Sequence, residues 1–220
     1  MPETITAAVQ DYVKAIYTLE PGSGGPVTTT ALAERLDVRP ASVSGMLPKL
    51  TQLGLVEHEP YRGVRLTERG TRVALEIVRH HRLLELFLVE SLGMTWDEVH
   101  AEAEVLEHVL SEELEELIAA KLGDPAFDPH GDPIPSRELT VPADESRSLY
   151  GVDPGESATF VRVSDSDPAM LRFLSERGIA PGAELEVVDR QPFDGPLYVR
   201  VGDDVHVLGA VLARAMRVAA

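Results

Sequence analysis

Residues 100–109 read HAEAEVLEHV, two histidines and three glutamates within nine positions. Neutral imidazole and carboxylate are both metal ligands, whereas Lys or Arg would simply neutralise an acidic face. An α-helix advances about 100° per residue, so a helix through this stretch puts His100, Glu104, Glu107 and His108 on one stripe roughly 100° wide. Glu102 falls on the other side. Val99, Ala103, Leu106, Leu110, Leu114 and Leu117 form a separate apolar stripe. The chemistry on offer is divalent-metal binding, and the competing reading is a solvated acidic face.

One helix rarely completes such a site, so partners are needed. The preceding helical stretch contains RHHRLLE, where His81 and Glu85 are four apart and share a face. The first helical stretch offers Asp11 in QDYVKAIY. Asp11, His81, Glu85, His100, Glu104, Glu107 and His108 can therefore converge from three helices. Enzyme signatures are missing: there is no HExxH, no P-loop and no Ser/His/Asp elbow. A di-iron Glu-x-x-His ending at His108 would need Glu where Val105 stands. The protein is expected not to be an enzyme.

The elements that must position these residues are legible. TAAVQDYVKAIYTLE has helical spacing and ends at PGSGG. TTTALAERLD is a Thr-capped helix, and PASVSGMLPKLTQLGLV is another, with Pro40 near its start and Gly54 closing it. LVEHEPYRGVRLTERG alternates as a hairpin with Arg62-Gly63 at its tip. Together they predict a winged helix-turn-helix. Within it, Thr29, Arg39, Pro40, Ala41, Ser42 and Ser44 are candidates for close approach to DNA, and Lys49, Arg62 and Arg65 for phosphate contact. Pro48 should bend the recognition helix locally.

ERGTRVALEIVRHHRLLELFLVESLG reads as a long amphipathic helix, and residues 95–123 as a second one with Thr95 and Glu98 as capping box. Residues 123–146, rich in Pro, Asp and Gly, read as a linker. From about 156 onward, ATFVRVSD, AELEVVDR, PLYVRVG and DVHVLG read as strands interrupted by the helix DPAMLRFLSERG, which suggests a small β-barrel. The expected class is α+β in three parts: a DNA-binding domain at 1–73, a helical metal-binding and dimerisation domain at 74–146, and a β-barrel at 147–220.

Charge sharpens this division. The chain of 220 residues has a net charge of −17 and no cysteine. Residues 1–73 carry 8 acidic and 8 basic side chains, residues 74–146 carry 18 and 4, and residues 147–220 carry 11 and 8. The neutral first third is compatible with DNA, and the acidic middle is where cations would gather. The lack of cysteine excludes disulfides, Cys-ligated zinc and Fe–S clusters. No apolar run of about 18 residues is present, and MPETITAAVQDYVK lacks a signal-peptide pattern. A cytoplasmic protein is expected.

DYVKAIYTLE, LAERLDVRPASVSGMLPKLTQLGLVEHEPYRGVRLTERG, RHHRLLELFLVESLG, HAEAEVLEHVLSEELEE, PHGDPIP and GAELEVVDR together resemble the diphtheria-toxin-repressor and manganese-transport-regulator family of metal-dependent repressors. The resemblance covers nearly the whole chain, and EHVLSEELEE and PHGDPIP are its most specific parts. It implies a homodimer built on the middle helices, a divalent metal that stiffens the protein for binding double-stranded operator DNA, and a C-terminal SH3-like (FeoA-like) domain.

The same resemblance implies a primary site of Asp11, Glu104, Glu107 and His108, with His81 as a further ligand. Iron-responsive members carry Met where Asp11 lies and Cys where Glu104 lies. Carboxylates at both positions resemble the manganese-sensing branch, so Mn²⁺ is the expected cofactor, with Fe²⁺ or another divalent transition metal as the alternative activator. Short manganese regulators have a glutamate where this chain has Lys14, which cannot be a ligand while protonated. Longer members use an ancillary site, which here would draw on Glu85, His100, Asp128, His130 and either Asp165 or Asp167. The rival function is a metal-independent winged-helix repressor whose His/Glu stripe is only structural. In the metal-dependent reading, repulsion among Asp11, Glu104 and Glu107 loosens the first helix until a cation removes it.

Overall fold

The computed structural model describes residues 5–20, 25–59, 62–164 and 167–219. The chain divides into two compact units. The first comprises Met1–His81, Glu107–Leu110 and Pro135–Thr140; the second comprises Arg82–Leu106, Ser111–Ile134 and Val141–Ala220.

In the first unit, helix α1 (Ala7–Leu19) buries Val9, Tyr12, Val13 and Ile16, the 3–4 spacing of one helical face. Helix α2 (Thr29–Arg35) starts where the Thr28 hydroxyl accepts the Ala31 N–H at 3.1 Å. Helix α3 (Pro40–Gln52) opens on Pro40, buries Val43, Leu47 and Leu50, and runs on without a break through the exposed Pro48. Strands β1 (Val56–Glu59) and β2 (Gly63–Leu66) pair antiparallel with Val56 opposite Leu66 and Glu59 opposite Gly63. Val27 extends this wing by exchanging two backbone hydrogen bonds with Val64, at 2.8 and 2.9 Å. That close approach requires glycine at 63. Its φ is +107°, and a Cβ there would lie 2.6 Å from the Val27 carbonyl oxygen. Glu20 at the end of α1 accepts the Leu66 N–H at 2.8 Å, so the first helix is tied to the wing.

Helix α4 (Glu68–Leu92) is the expected long helix and contributes residues to both units. The stretch 95–123 differs from expectation. It forms two helices, α5 (Val99–Leu106) and α6 (Glu112–Lys121), and Glu107 and His108 lie beyond the end of α5. The cause is a second helix start. Ser111 accepts the Leu114 N–H at 3.3 Å, and Glu112, Glu113 and Glu115 occupy the first turn of α6, where carboxylates favour the helix dipole. The wheel that placed Glu107 and His108 on the stripe of His100 and Glu104 therefore does not apply. The continuous apolar stripe fails for the same reason: Val99 and Ala103 are buried, but Leu114 and Leu117 are exposed. At the other end, Thr95 donates to the Glu98 carboxylate at 2.8 Å, and α5 begins one residue later.

Residues 123–134 lack regular helix and strand but are not a free linker. Asp128 and His130 are buried in the second unit, and Val163 donates its N–H to the His130 carbonyl at 3.1 Å. Gly131 permits this contact. Its φ is +87°, and a Cβ would overlap the Val161 carbonyl.

The rest of the second unit is a six-stranded antiparallel sheet in the order β3-β8-β4-β5-β6-β7. Its strands are β3 (Arg147–Ser148), β4 (Ser157–Arg162), β5 (Glu184–Arg190), β6 (Leu197–Val201), β7 (Asp204–Leu208) and β8 (Arg217–Ala219). Helix α7 (Pro168–Ser175) follows β4, and helix α8 (Ala210–Ala215) precedes β8. Phe160, Leu171, Leu174, Val187, Val199 and Met216 are among the fully buried side chains of its core. β3, α8 and β8 are additions to the expected elements. The two strands have two and three residues, too short for alternation to register.

Candidate metal centre

In the first unit the Asp11 carboxylate, the Glu107 carboxylate and the His108 ring each offer a ligand atom, all within 4.8 Å of one another. Asp11 comes from the exposed-side margin of α1. Glu107 and His108 come from the turn after α5. His108 Nε2 is 2.9 Å from Asp11 Oδ1 and 3.7 Å from Glu107 Oε1. Donor atoms about 2.1 Å from an octahedrally held ion stand about 3 Å apart at neighbouring positions. The spacing and the donor set of two carboxylates and one imidazole thus fit a hard or borderline divalent ion.

The groups behind these donors orient them. Gln10 Oε1 accepts from His108 Nδ1 at 2.9 Å, which orients the ring with Nε2 toward Asp11. Glu107 is buried and heavily bonded. Lys14 Nζ donates to Glu107 Oε1 at 2.9 Å and to Oε2 at 2.6 Å. His81 Nδ1 lies 2.5 Å from Glu107 Oε2 and 3.1 Å from Lys14 Nζ. His80 Nδ1 is 3.1 Å from the Glu107 carbonyl, which fixes the turn itself. His81 accordingly meets Glu107. Gln10, His80 and Lys14 act here as partners of the candidate ligands, a role their spacing in sequence does not by itself reveal. The i, i+3 relation of Asp11 and Lys14 on one helix face was the available signal.

A second group lies in the second unit. Glu85 on α4 is fully buried, with its Oε1 3.4 Å from His100 Nδ1 and 3.7 Å from His130 Nε2. His100 Nε2 is 3.7 Å from Glu104, one turn along α5. Glu104 therefore belongs to this unit, while Asp11, His81, Glu107 and His108 belong to the first. The His130 ring stacks on Trp96, with centroids 5.7 Å apart, and is wholly buried rather than a surface-loop histidine. Asp128 Oδ1 accepts the N–H groups of His130 and Asp132 at 2.8 and 2.9 Å, closing a tight turn. Arg82 Nε is 3.6 Å from the other oxygen of Asp128, and Arg82 Nη2 reaches Asp132 at 3.3 Å. Burial first, then the neighbouring Asp132 and Glu85 carboxylates, push the Asp128 carboxyl up to about 7 against the opposing pull of Arg82 and His130. Asp167 caps α7, accepting the Ala169 N–H at 2.9 Å. Asp165 lies outside the described residues.

The DNA-facing candidates sit on one module of the first unit. Arg39 is the N-cap of α3, and Pro40, Ala41, Ser42, Ser44 and Lys49 are exposed along it. Thr29 is the first residue of α2 and half-buried. Arg62 and Arg65 are exposed on the wing, where Arg62 pairs with Glu59 at 3.1 Å and Arg65 stands opposite Glu57.

A winged helix-turn-helix joined to a carboxylate–imidazole centre defines a metal-dependent DNA-binding regulator. Three family descriptions match the chain in sequence: the iron dependent repressor N-terminal DNA binding domain over residues 4–64, the iron dependent repressor metal binding and dimerisation domain over 67–136, and the FeoA domain over 147–220. The iron-dependent repressor IdeR of Mycobacterium tuberculosis is 32% identical, with 94% of both chains covered. The diphtheria toxin repressor of Corynebacterium glutamicum is 32% identical over 82% of this chain and 83% of that one. Among solved structures, a manganese-dependent transcriptional repressor in complex with manganese superposes with a TM-score of 0.89 at 45% identity, covering 95% of this chain and 98% of that one. Another manganese-dependent transcriptional repressor gives 0.79 at 40% identity, covering 96% and 98%. The chain belongs to the diphtheria-toxin-repressor and iron-dependent-repressor family of metal-dependent transcriptional repressors, with a C-terminal FeoA domain. That family is one of DNA-binding regulators, not enzymes.

Proposed function

We propose that this protein is a Mn²⁺-responsive homodimeric repressor of the cytoplasm that binds double-stranded operator DNA when metal-loaded, with Fe²⁺ as a second activator. The observation that carries the metal assignment is the all-oxygen-and-imidazole set of Asp11, Glu107 and His108, in a chain without cysteine. Hard carboxylates accept Mn²⁺ where a thiolate would select a softer ion. The likeness to manganese-dependent repressor structures supports the same choice. We assign His81 and Glu104 to metal binding as well, and Glu85, His100, Asp128 and His130 to an ancillary centre, with Asp165 or Asp167 completing it. The division at 1–73, 74–146 and 147–220 is part of the same reading.

When bound, a divalent ion would supply positive charge to the Asp11 carboxylate and, beside the Lys14 ammonium, to that of Glu107. The chain's own residues turn that local event into a DNA-binding one. Asp11 sits on α1, whose Val9, Val13 and Ile16 pack in one core with Leu32 of α2 and Val43, Leu47 and Leu50 of α3. Glu20 ties the same helix to the wing. Tightening α1 against the Glu107–His108 turn, to which Lys14 already links it, therefore tightens the platform that presents α3, and the equilibrium shifts toward the DNA-competent form by the difference in metal affinity between the two states. Exposed Leu114 and Leu117, one turn apart on α6, and exposed Val105 on α5 support assembly through the middle helices. In a dimer, two α3 helices at fixed spacing would read two half-sites. Titration of Mn²⁺, Fe²⁺ and Zn²⁺ against affinity for duplex DNA tests the assignment. Activation by Mn²⁺ at the lowest free concentration is expected, and activation by Fe²⁺ alone would overturn it.

A further inference from the structure

Lys14 is the least expected member of the first group. Its ammonium contacts both oxygens of Glu107, a carboxylate with no exposed side-chain surface, and only 13% of the lysine side chain is itself exposed. It also meets the His81 ring nitrogen that bonds the same carboxylate. Lys14 lies one turn beyond Asp11 on α1, and Glu107 lies on the turn that carries His108. The pair thus joins the same two segments that Asp11 and His108 join.

We propose that Lys14 is a tethered counter-cation that sets the metal-binding threshold of this centre. The inference rests on the assignment of Asp11, Glu107 and His108 as metal ligands. Two consequences follow from charge. First, a buried carboxylate without a partner is strongly disfavoured, so the ammonium holds the Glu107 turn in place before any ion arrives. Second, the fixed positive charge of Lys14 beside Glu107 repels a divalent ion that uses the same carboxylate, and the repulsion is large at short range in a partly dehydrated site. Lys14 therefore makes the centre pre-ordered and weaker at once. For a sensor this raises the free-ion concentration at which the site fills.

The test is calorimetric titration of Mn²⁺ into the full chain, with metal-free thermal melting as the second readout. The part of the wild-type isotherm that disappears in Asp11→Ala reports this centre. In Lys14→Met that part should tighten at least tenfold while the metal-free melting temperature falls. In Lys14→Arg, which keeps the charge, both should stay near wild type. If Lys14→Met fails to fold, Lys14→Gln retains a donor to Glu107 without the charge and carries the same comparison. Equal or weaker Mn²⁺ binding on removal of the charge overturns the inference, as does an unchanged metal-free melting temperature. An isotherm that Asp11→Ala leaves intact overturns instead the ligand assignment on which the inference rests.

Discussion

The two His/carboxylate groups of this chain handle buried negative charge in different ways. In the first unit, Glu107 is neutralised by Lys14 from the facing helix, and the half-exposed Asp11 and the oriented His108 ring stand ready beside it. In the second, Glu85 is fully buried between two imidazoles, and the nearby Asp128 keeps its proton up to about pH 7. In one group an ammonium lies directly on the buried carboxylate; in the other, two imidazoles flank Glu85, and Asp128 is protonated despite Arg82 3.6 Å away. The first is therefore placed to respond to an ion, whereas the second ties α4 and α5 to the turn at residues 128–132.

The sharpest way to break this comparison is to remove one group at a time. Asp11→Ala or His108→Ala should raise the Mn²⁺ concentration needed for DNA binding on the order of a hundredfold or more, with the chain still folded by circular dichroism. His130→Ala should raise it by about tenfold or less. Equal effects in a fluorescence-anisotropy titration would erase the distinction between the two groups. Next in size is Glu107→Ala. It leaves Lys14 without its buried partner, and chemical denaturation of the metal-free chain should show a loss of about 3 kcal/mol.

The second group makes a pH prediction. The Asp128 carboxyl titrates at about 7 in the fold, against the ordinary 3.8. The native state holds this proton more tightly than the unfolded chain does. The stability tied to it is complete below about pH 4 and is lost as pH rises through about 7. Asp128→Asn keeps an acceptor for the His130 and Asp132 N–H groups but cannot ionise. Its metal-free stability, relative to wild type, should improve by at least about 1 kcal/mol between pH 4 and pH 8. A parallel pH profile for the two proteins would contradict the origin assigned to the shift. The smallest effect is expected outside both groups. Lys49→Ala should weaken DNA binding about equally for all sequences and reduce the salt slope by about one, without changing the Mn²⁺ requirement.

Much of this was legible in the residues. Helical spacing and caps define α1 to α4, and alternation around Arg62-Gly63 defines the wing, because each of these elements buries one face. The break between α5 and α6 was not legible, since Glu, Ala and Leu are all good helix formers and only Ser111 marks the restart. The burial of His130 was hidden for the opposite reason. Pro, Asp and Gly around it signal irregular backbone, yet Gly131 lets that backbone press against Val161 and bury the ring. The types of the candidate ligands could be read from spacing. Their partners could not, because Gln10–His108 and Lys14–Glu107 span 98 and 93 residues and exist only after α1 has packed.

The central claim is that the Asp11–Glu107–His108 centre couples metal to DNA recognition. Selection from a random duplex pool, run with wild type and Asp11→Ala in Mn²⁺ and with wild type in chelator, tests it most directly. A shared sequence of two half-sites should be enriched only by wild type in Mn²⁺. The same enrichment by wild type in chelator, or by Asp11→Ala in Mn²⁺, would contradict it.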